Sequence, residues 1–269
     1  MTSTHGVQTE PVLNQTSSHG VTTLRLNRPA KLNALSQALL DELQKALDGI
    51  AADTDARCVI IEGAGKAFCA GHDLAEMRQT PGEENYRSLF AACSRMMQSI
   101  VNLPVPVIAK VHGISTAAGC QLVASCDLAI ASNSAKFAVS GINVGLFCST
   151  PAVALSRNVS AKQAFDMLAT GDFIDAQTAV KMGLINQAVE HADLEAVVAA
   201  KAQSIARKDP QSIRLGKALF QKQRQMALPD AYALAGDVMA LNMMLADTGE
   251  AIDAFVAKRQ PVLSFQASK

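Results

Sequence analysis

The sequence has no long apolar run and no excess of one charge. No segment reaches the roughly 18 consecutive apolar residues of a membrane helix, so we predict no membrane span. The 24 basic and 24 acidic residues give a formal net charge of zero, which gives no electrostatic reason to expect a nucleic-acid partner. With 49% hydrophobic and only 18% charged residues, the chain is expected to pack into a folded core.

Paired cysteine motifs and an apolar signal-peptide core are also missing. The six cysteines, at positions 58, 69, 93, 120, 126 and 148, include no CxxC pair and lie among apolar or small residues. We therefore expect reduced thiols, with no disulfide and no metal site. The first 17 residues are polar, and the first arginine is Arg25, which argues against a mitochondrial transit peptide. The sequence thus predicts a cytoplasmic protein with a flexible tail at 1–17.

What the chain does contain is an α/β pattern followed by a purely helical one. Short apolar strand patterns alternate with amphipathic helices as far as residue 192, and only helical patterns follow. We therefore predict an α/β core at 18–192 and a helical module at 193–269. The helices of the module are expected at about 193–207, 211–225, 229–245 and 248–258. Their many methionine and leucine residues favour self-association.

The stretch from Ala109 to Asp127 has the most distinctive pattern. A buried strand, Val105–Val111, is followed by a turn, by a run of small residues at 115–119 and by a short apolar helix at Cys120–Ala124. The first N–H groups of a helix have no internal partner, and small side chains let a ligand approach them closely. This pattern fits either a ligand site or tight packing of the helix on the sheet.

A second glycine-bearing loop, residues 63–77, resembles the first, and it supports the ligand interpretation. It contains Ala70-Gly71-His72-Asp73 before another helix start. If the N–H groups of His72 and Ala118 converge, they form a two-donor hole for one oxygen. Such a hole stabilises the negative charge that develops on a carbonyl oxygen during reaction.

These two loops, together with three other segments, resemble the crotonase superfamily, the family of enoyl-CoA hydratases and isomerases. The matching segments span positions 27 to 261 in the family's order: NRPAKLNAL (27–35), KAFCAGHDLAEM (66–77), the stretch at 109–127, LATGDFIDAQTAVKMGLIN (168–186) and AFVAKRQP (254–261). The resemblance implies a spiral of ββα units with a C-terminal helical trimerisation module. It also implies an acyl-CoA thioester substrate, with coenzyme A as part of the substrate and no separate cofactor, and a homotrimer or dimer of trimers.

The resemblance also assigns roles to individual residues. The hole donors fall on the backbone of His72 and Ala118. The segment His72-Asp73-Leu74-Ala75 would line the thioester, and Ala70 would belong to the same binding site. The positions that would contact coenzyme A are Lys31 and Lys66, and also Phe255 and Lys258 on a neighbouring subunit's last helix. Without the resemblance, these lysines would be interpreted as solvated surface charges, and Asp73 as a helix cap.

The sequence departs from the family at both hydratase carboxylates. Hydratases of this family use two glutamates for general acid–base catalysis, and this chain has Gln121 and Gly141 in their places. Gln121 could hold a water molecule, whereas Gly141 is expected to leave only space. Neither residue transfers a proton at neutral pH, so ordinary hydration is predicted to be severely impaired.

His72 is the best candidate for a replacement group, because an imidazole titrates near neutral pH. The family's malonyl-type decarboxylases have a similar Gly-His-Asp sequence there. Cys148, in an irregular loop near the expected acyl end, would need a lowered pKa to act as a nucleophile. The sequence leaves three functions open: a hydratase-like enzyme, a decarboxylase or thioester hydrolase, and a non-catalytic acyl-CoA-binding protein.

Overall fold

A six-stranded and a four-stranded sheet form the body of the protein in the computed structural model, which describes residues 10–267. The large sheet has the order β1-β2-β3-β5-β7-β10, and the small sheet has the order β4-β6-β8-β9. The strands are β1 (Leu13–Ser18), β2 (Val21–Leu26), β3 (Cys58–Gly63), β4 (Ala67–Cys69), β5 (Val107–Val111), β6 (Ile114–Thr116), β7 (Leu128–Ser132), β8 (Lys136–Ala138), β9 (Ile174–Asp175) and β10 (Gln187–Val189).

Helices surround these sheets and account for the rest of the regular structure. Short 3-10 turns occur at Pro29–Lys31, Ser140–Val144 and His191–Asp193. The α-helices are α1 (Gln37–Ala52), α2 (Leu74–Gln79), α3 (Glu83–Asn102), α4 (Ala118–Ser125), α5 (Ser149–Leu155), α6 (Ala161–Thr170), α7 (Ala176–Met182), α8 (Leu194–Ala206), α9 (Pro210–Gln223), α10 (Leu228–Met243), α11 (Ala246–Val256) and α12 (Ser264–Ala267). None of the helices in this part of the chain is long and apolar enough to cross a bilayer.

Successive strand pairs repeat the same arrangement. The first strands of three pairs, β3, β5 and β7, are parallel neighbours in the large sheet. The second strands, β4, β6 and β8, are parallel neighbours in the small sheet. Each pair is followed by a helix, so the chain winds as a spiral that adds one strand to each sheet per turn. This confirms the predicted α/β spiral of ββα units.

The helix patterns of the core follow the sequence closely. Ser36 caps α1 by accepting a hydrogen bond from the Leu39 amide, and the apolar face of α1 is buried along its length. Helix α4 is unusual because every one of its residues is buried. It therefore lies in the interior of the protein, with its N-terminus facing the cavity described below.

The predicted tail at 1–17 is too long. Residues 1–9 lie outside the described part of the chain, but β1 begins at Leu13 and pairs antiparallel with β2 along its whole length. The strand was missed because its side chains are mostly polar and exposed, so hydrophobic alternation is absent. Backbone pairing with a neighbouring strand forms it instead. The strand predicted at Val105–Val111 also starts later than expected. It begins at Val107, after Pro106, because proline has no N–H to donate to the sheet.

The described residues from 193 to 267 contain no strand, as predicted. Helix α8 nevertheless packs on the large sheet, where Leu194, Val198 and Ala202 form a buried cluster with Cys58 and Ile108. The structure thus places α8 with the core.

A buried ion pair attaches α9 to the core. The Lys217 Nζ atom donates to Asp127 Oδ2 at 2.6 Å and to the carbonyl oxygens of Ile100 and Val105 at 3.1 and 3.0 Å. Both charged side chains are mostly buried. Asp127 also accepts a hydrogen bond from the Val107 amide at 2.8 Å, so its carboxylate joins α9 to β5.

Replacing Lys217 by methionine is expected to lower the free energy of unfolding by about 3–5 kcal/mol, because the Asp127 carboxylate would remain buried without its cation. Urea denaturation measures this change. Lys222→Met is the matched control, since Lys222 is exposed on the same helix, and it should change stability by less than about 0.5 kcal/mol. Equal stability of both variants would show that the pair does not anchor α9.

Candidate functional site

A cavity of about 330 Å³ lies where the two glycine-bearing loops meet the segment around residues 140–151. Most of its wall is apolar, and its polar groups are few. This composition is typical of small-molecule sites. The lining residues are Ala70, His72, Leu74, Met77, Phe90, Ala117, Ala118, Ser140, Gly141, Val144, Leu146, Phe147, Cys148, Ser149, Thr150 and Pro151.

The backbone amides of His72 and Ala118 both belong to residues on this wall. A parallel bridge fixes the first loop, because Leu35 donates to the Gly71 carbonyl and Asp73 donates to the Leu35 carbonyl. The His72 amide takes no part in that bridge. Ala118 is the first residue of α4, so its amide has no partner in the helix. Within residues 10–267, neither amide donates a hydrogen bond.

Glycines bring these two loops into contact. A β-carbon added to Gly71, whose φ is +89°, would lie 3.2 Å from the Ala118 nitrogen and 2.9 Å from the Ala117 Cβ. One added to Gly119 would overlap the Cys69 carbonyl, lying 2.7 Å from its carbon. Ala117, between them, has φ +51°, a value unusual for a residue with a side chain. The start of α4 is therefore held directly against the loop that carries His72.

Within residues 10–267, the His72 side chain on the cavity wall has no hydrogen-bond partner. Its ring packs edge-on against Phe90, with centroids 5.5 Å apart, and both ring nitrogens are buried. Burial lowers the pKa of His72 below its usual 6.5, and the nearby Leu35 backbone, which does not have hydrogen-bond geometry with the ring, opposes this only in part. The imidazole is therefore neutral at neutral pH, and its nitrogens are free for a ligand.

The lowered pKa of His72 predicts a pH dependence of stability. The unfolded chain takes up a proton on this residue near pH 6.5, whereas the folded protein resists it. Stability is thus full above pH 6.5 and is lost as the pH falls from there towards the folded-state pKa, by at most about 1.4 kcal/mol per pH unit. We expect His72→Phe to show a smaller stability loss than the wild type between about pH 7.5 and 5.5 in urea titrations. An identical loss in both proteins would contradict this.

The cavity wall has no carboxylate at either hydratase position. Gln121 is 5% exposed and is not among the lining residues, and its Oε1 atom has no hydrogen-bond partner in the described part of the chain. Gly141 does line the cavity, but the expectation that it leaves only space is wrong. A β-carbon there would overlap the Leu146 carbonyl oxygen and lie 2.8 Å from Cys148 Sγ. The following loop folds back over Gly141 and fills that position.

Cys148 lines the cavity but lacks the properties of a nucleophile. It is 6% exposed, and burial raises the pKa of its thiol above the usual value, opposed only partly by the Gly141 backbone. A thiolate nucleophile requires a lowered pKa. Cys148 is therefore a protonated thiol at neutral pH.

The residues around His72 have different roles. Ala70 and Leu74 line the cavity, whereas Asp73 and Ala75 do not. Asp73 caps α2 by accepting the Glu76 amide and pairs with the Arg28 guanidinium at 2.9 Å. Burial acts to raise the pKa of Asp73, but these contacts outweigh it and lower the pKa. This agrees with the predicted capping role.

The four predicted coenzyme A contacts all lie on the surface. Lys31 and Lys66 are exposed, and neither forms an ion pair within the described residues. The loops that carry Lys31 and Lys66 are adjacent. A β-carbon on Gly65, next to Lys66, would lie only 2.8 Å from the Cβ of Pro29, in the loop of Lys31. Phe255 is 85% exposed at the end of α11, and Lys258 follows it with φ +53°. In one chain, neither of these two residues lines the cavity.

Most of the apolar wall of the cavity was not predicted from the sequence. Val144, Leu146 and Phe147 lie on the loop that closes the cavity, and all three are substantially exposed. Met77 and Phe90 complete the wall from α2 and α3. Apolar residues in an otherwise irregular, glycine-containing loop were the available signal, since solvent-facing loops are usually polar.

Comparison with known proteins identifies close relatives of this chain. Residues 16–266 match the family model described as Enoyl-CoA hydratase/isomerase. A protein of Rattus norvegicus, Enoyl-CoA hydratase domain-containing protein 3, mitochondrial, is 45% identical over 260 residues, covering 96% of this chain and 87% of the rat protein.

Solved structures agree with this match. An enoyl-CoA hydratase of Mycobacterium smegmatis is 52% identical, with a TM-score of 0.93, covering 94% of this chain and 99% of that one. Human enoyl coenzyme A hydratase domain-containing protein 3 is 44% identical, with a TM-score of 0.91, covering 93% and 99% of the two chains.

The prediction of a cytoplasmic protein is contradicted by these relatives. The rat, mouse and human proteins, 44–45% identical to this chain, are all named as mitochondrial, which points to the mitochondrion. The prediction failed because it rested partly on reduced cysteines. All six are buried, and burial protects a thiol in any compartment, so these residues carry no information about location.

Proposed function

This chain belongs to the enoyl-CoA hydratase/isomerase family, and from that premise we propose that it stabilises the enolate of an acyl-CoA thioester without hydrating a double bond. The main support is one observation: the cavity that holds the free amides of His72 and Ala118 has no carboxylate on its wall. A two-donor hole can stabilise an enolate oxygen. Water addition also needs a strong proton-transfer pair, which this wall lacks.

Coenzyme A would bind from the surface loops towards the cavity. Lys31 and Lys66 present two unpaired ammonium groups on adjacent loops, which suits the phosphates of the nucleotide. The thioester would then lie between His72 and Ala118, with the acyl group among the apolar residues of the wall. The neutral imidazole of His72 can hydrogen-bond the bound thioester.

We propose that Phe255 and Lys258 complete this site in a neighbouring subunit of a homotrimer or a dimer of trimers. The apolar side chains on α10 and α11 support self-association, since large exposed apolar patches mark interfaces. The most exposed of them are Leu228, Tyr232, Met239, Phe255 and Val256, and Met244, between the two helices, is also exposed.

Among the enolate reactions, decarboxylation of a malonyl-type thioester suits this cavity best. Loss of carbon dioxide generates the enolate directly, so no base has to remove a carbon-bound proton. An apolar wall also removes water from the substrate carboxylate, which raises its energy relative to the more dispersed charge of the transition state. Thioester hydrolysis and binding without turnover remain as outcomes of the test.

The test compares methylmalonyl-CoA, crotonyl-CoA and butyryl-CoA as substrates at equal concentration. We expect carbon dioxide release and propionyl-CoA from the first, no hydration of the second, and no free thiol from the third. Titration calorimetry measures binding of each separately from turnover. Binding of all three without any product would instead support a binding protein, and release of free coenzyme A would support a hydrolase.

A further inference from the structure

We infer that the Cys148 thiol is the acid that protonates the α-carbon of the enolate, an inference that rests on the proposed function. The enolate formed in the cavity must receive a proton before product leaves. The two hydratase positions cannot supply it, because Gln121 does not line the cavity and Gly141 has no side chain. The proton must therefore come from another group on the wall or from water.

The wall contains few groups that carry a transferable proton. Among the described residues of the wall, only His72 and Cys148 have ionisable side chains, and the remaining polar side chains are the hydroxyls of Ser140, Ser149 and Thr150. Ser140 is already hydrogen-bonded to Thr116 Oγ1 at 2.7 Å. A neutral imidazole N–H and a hydroxyl are both much weaker acids than a thiol, so Cys148 is the strongest acid on the wall.

Cys148 also lies next to the residue that replaces the second hydratase glutamate. Its sulfur lies 2.8 Å from the point where a β-carbon on Gly141 would be. Gly141 is where the family resemblance places the second of the two hydratase glutamates. A side chain at residue 141 would therefore start in contact with the Cys148 sulfur, and the thiol lies on the same part of the cavity wall.

The protonation state of Cys148 and the unpartnered polar atoms of the cavity wall suit this role. Burial keeps Cys148 in its protonated form at neutral pH, which an acid needs and a nucleophile does not. On the same wall, both His72 nitrogens are buried and without partners, which marks this cavity, independently of the cysteine, as a place where a polar ligand group is expected.

The step balances without any added oxidant or reductant. The bond between the α-carbon and the carboxylate breaks, carbon dioxide leaves, and the bonding electron pair forms the enolate. The enolate pair then takes the proton of the Cys148 S–H group to form a new C–H bond. The thiolate that remains recovers a proton from water once the product has left.

The test follows where the proton is delivered. Methylmalonyl-CoA is decarboxylated in D₂O, and the configuration of the deuterium in the propionyl-CoA product is determined by NMR after conversion to a chiral ester. The full-length protein is compared with Cys148→Ala and Cys148→Ser. Cys58→Ala is the matched control, because Cys58 is buried under α8, in a different core cluster from Cys148.

We expect the wild type and Cys58→Ala to place deuterium on one face of the α-carbon. Cys148→Ala should give both faces, because water then protonates the enolate, and Cys148→Ser should retain part of the selectivity. Titration with butyryl-CoA checks that each variant still binds. If Cys148→Ala still places deuterium on one face only, Cys148 is not the proton donor. The proposed function would be unaffected by that result. Absence of decarboxylation in a wild type that binds methylmalonyl-CoA would overturn the proposed function and this inference with it.

Discussion

Crotonyl-CoA incubated with this protein is expected to be hydrated at least about 10⁴-fold more slowly than by a family member that has both glutamates. Each positioned acid or base contributes roughly 10²–10⁴-fold to such a reaction. Here, one position carries Gln121, away from the cavity wall, and the other carries Gly141, covered by the following loop. Loss of the enoyl-thioester absorbance measures the rate, with a relative that has both glutamates as the positive control.

Restoring one glutamate is not expected to restore hydration. In Gln121→Glu, the new carboxyl would sit on a helix in which every residue is buried, so its pKa would rise and it would remain neutral. Gly141→Glu would drive its β-carbon into the Leu146 carbonyl and the Cys148 sulfur. Hydration by the wild type at the rate of the positive control would contradict the account directly, whatever these variants do.

Gly119→Ala is expected to lower the kcat for decarboxylation of methylmalonyl-CoA by about 10²–10³-fold, which is the effect of losing one oxyanion donor. The new methyl group would overlap the Cys69 carbonyl and push the start of α4 away from β4. The Ala118 amide would move with it, out of line with the His72 amide. Because the loss concerns the transition state, kcat should fall far more than the affinity for butyryl-CoA, which titration calorimetry measures separately.

Two further variants separate this effect from general damage to the fold. Gly71→Ala strains a residue at φ +89° and brings a methyl group 3.2 Å from the Ala118 nitrogen, so it should reproduce the loss of kcat. Gly49→Ala, in α1, meets no atom within 4 Å and should keep wild-type turnover, with stability unchanged or raised by up to about 1 kcal/mol. Wild-type kcat in Gly119→Ala would mean that the position of α4 does not matter to the reaction.

The sequence predicted those parts of the site that depend on local backbone pattern. The small-residue run before α4 and the glycine of the His72 loop each have a local cause, the need for close approach, and both were recognised. The surroundings of residue 141 could not be predicted from the sequence. Its lack of a side chain suggested empty space, but contacts with Leu146 and Cys148 fill it.

Long-range packing explains the other differences. The anchoring of α9 depends on Lys217 meeting Asp127, residues that are 90 positions apart, and no periodic pattern connects them. Strand β1 exists because β2 offers a free edge, although its own side chains are polar. Cellular location was predicted wrongly in part because the six cysteines are buried, and buried thiols say nothing about compartment.

The central claim is that the amides of His72 and Ala118 bind the same carbonyl oxygen. A crystal structure with butyryl-CoA, which carries neither a double bond nor a carboxylate to react, tests it most directly. We predict a thioester oxygen about 2.7–3.1 Å from both amide nitrogens. A thioester oxygen in contact with only one of these nitrogens, or with neither, would contradict the account.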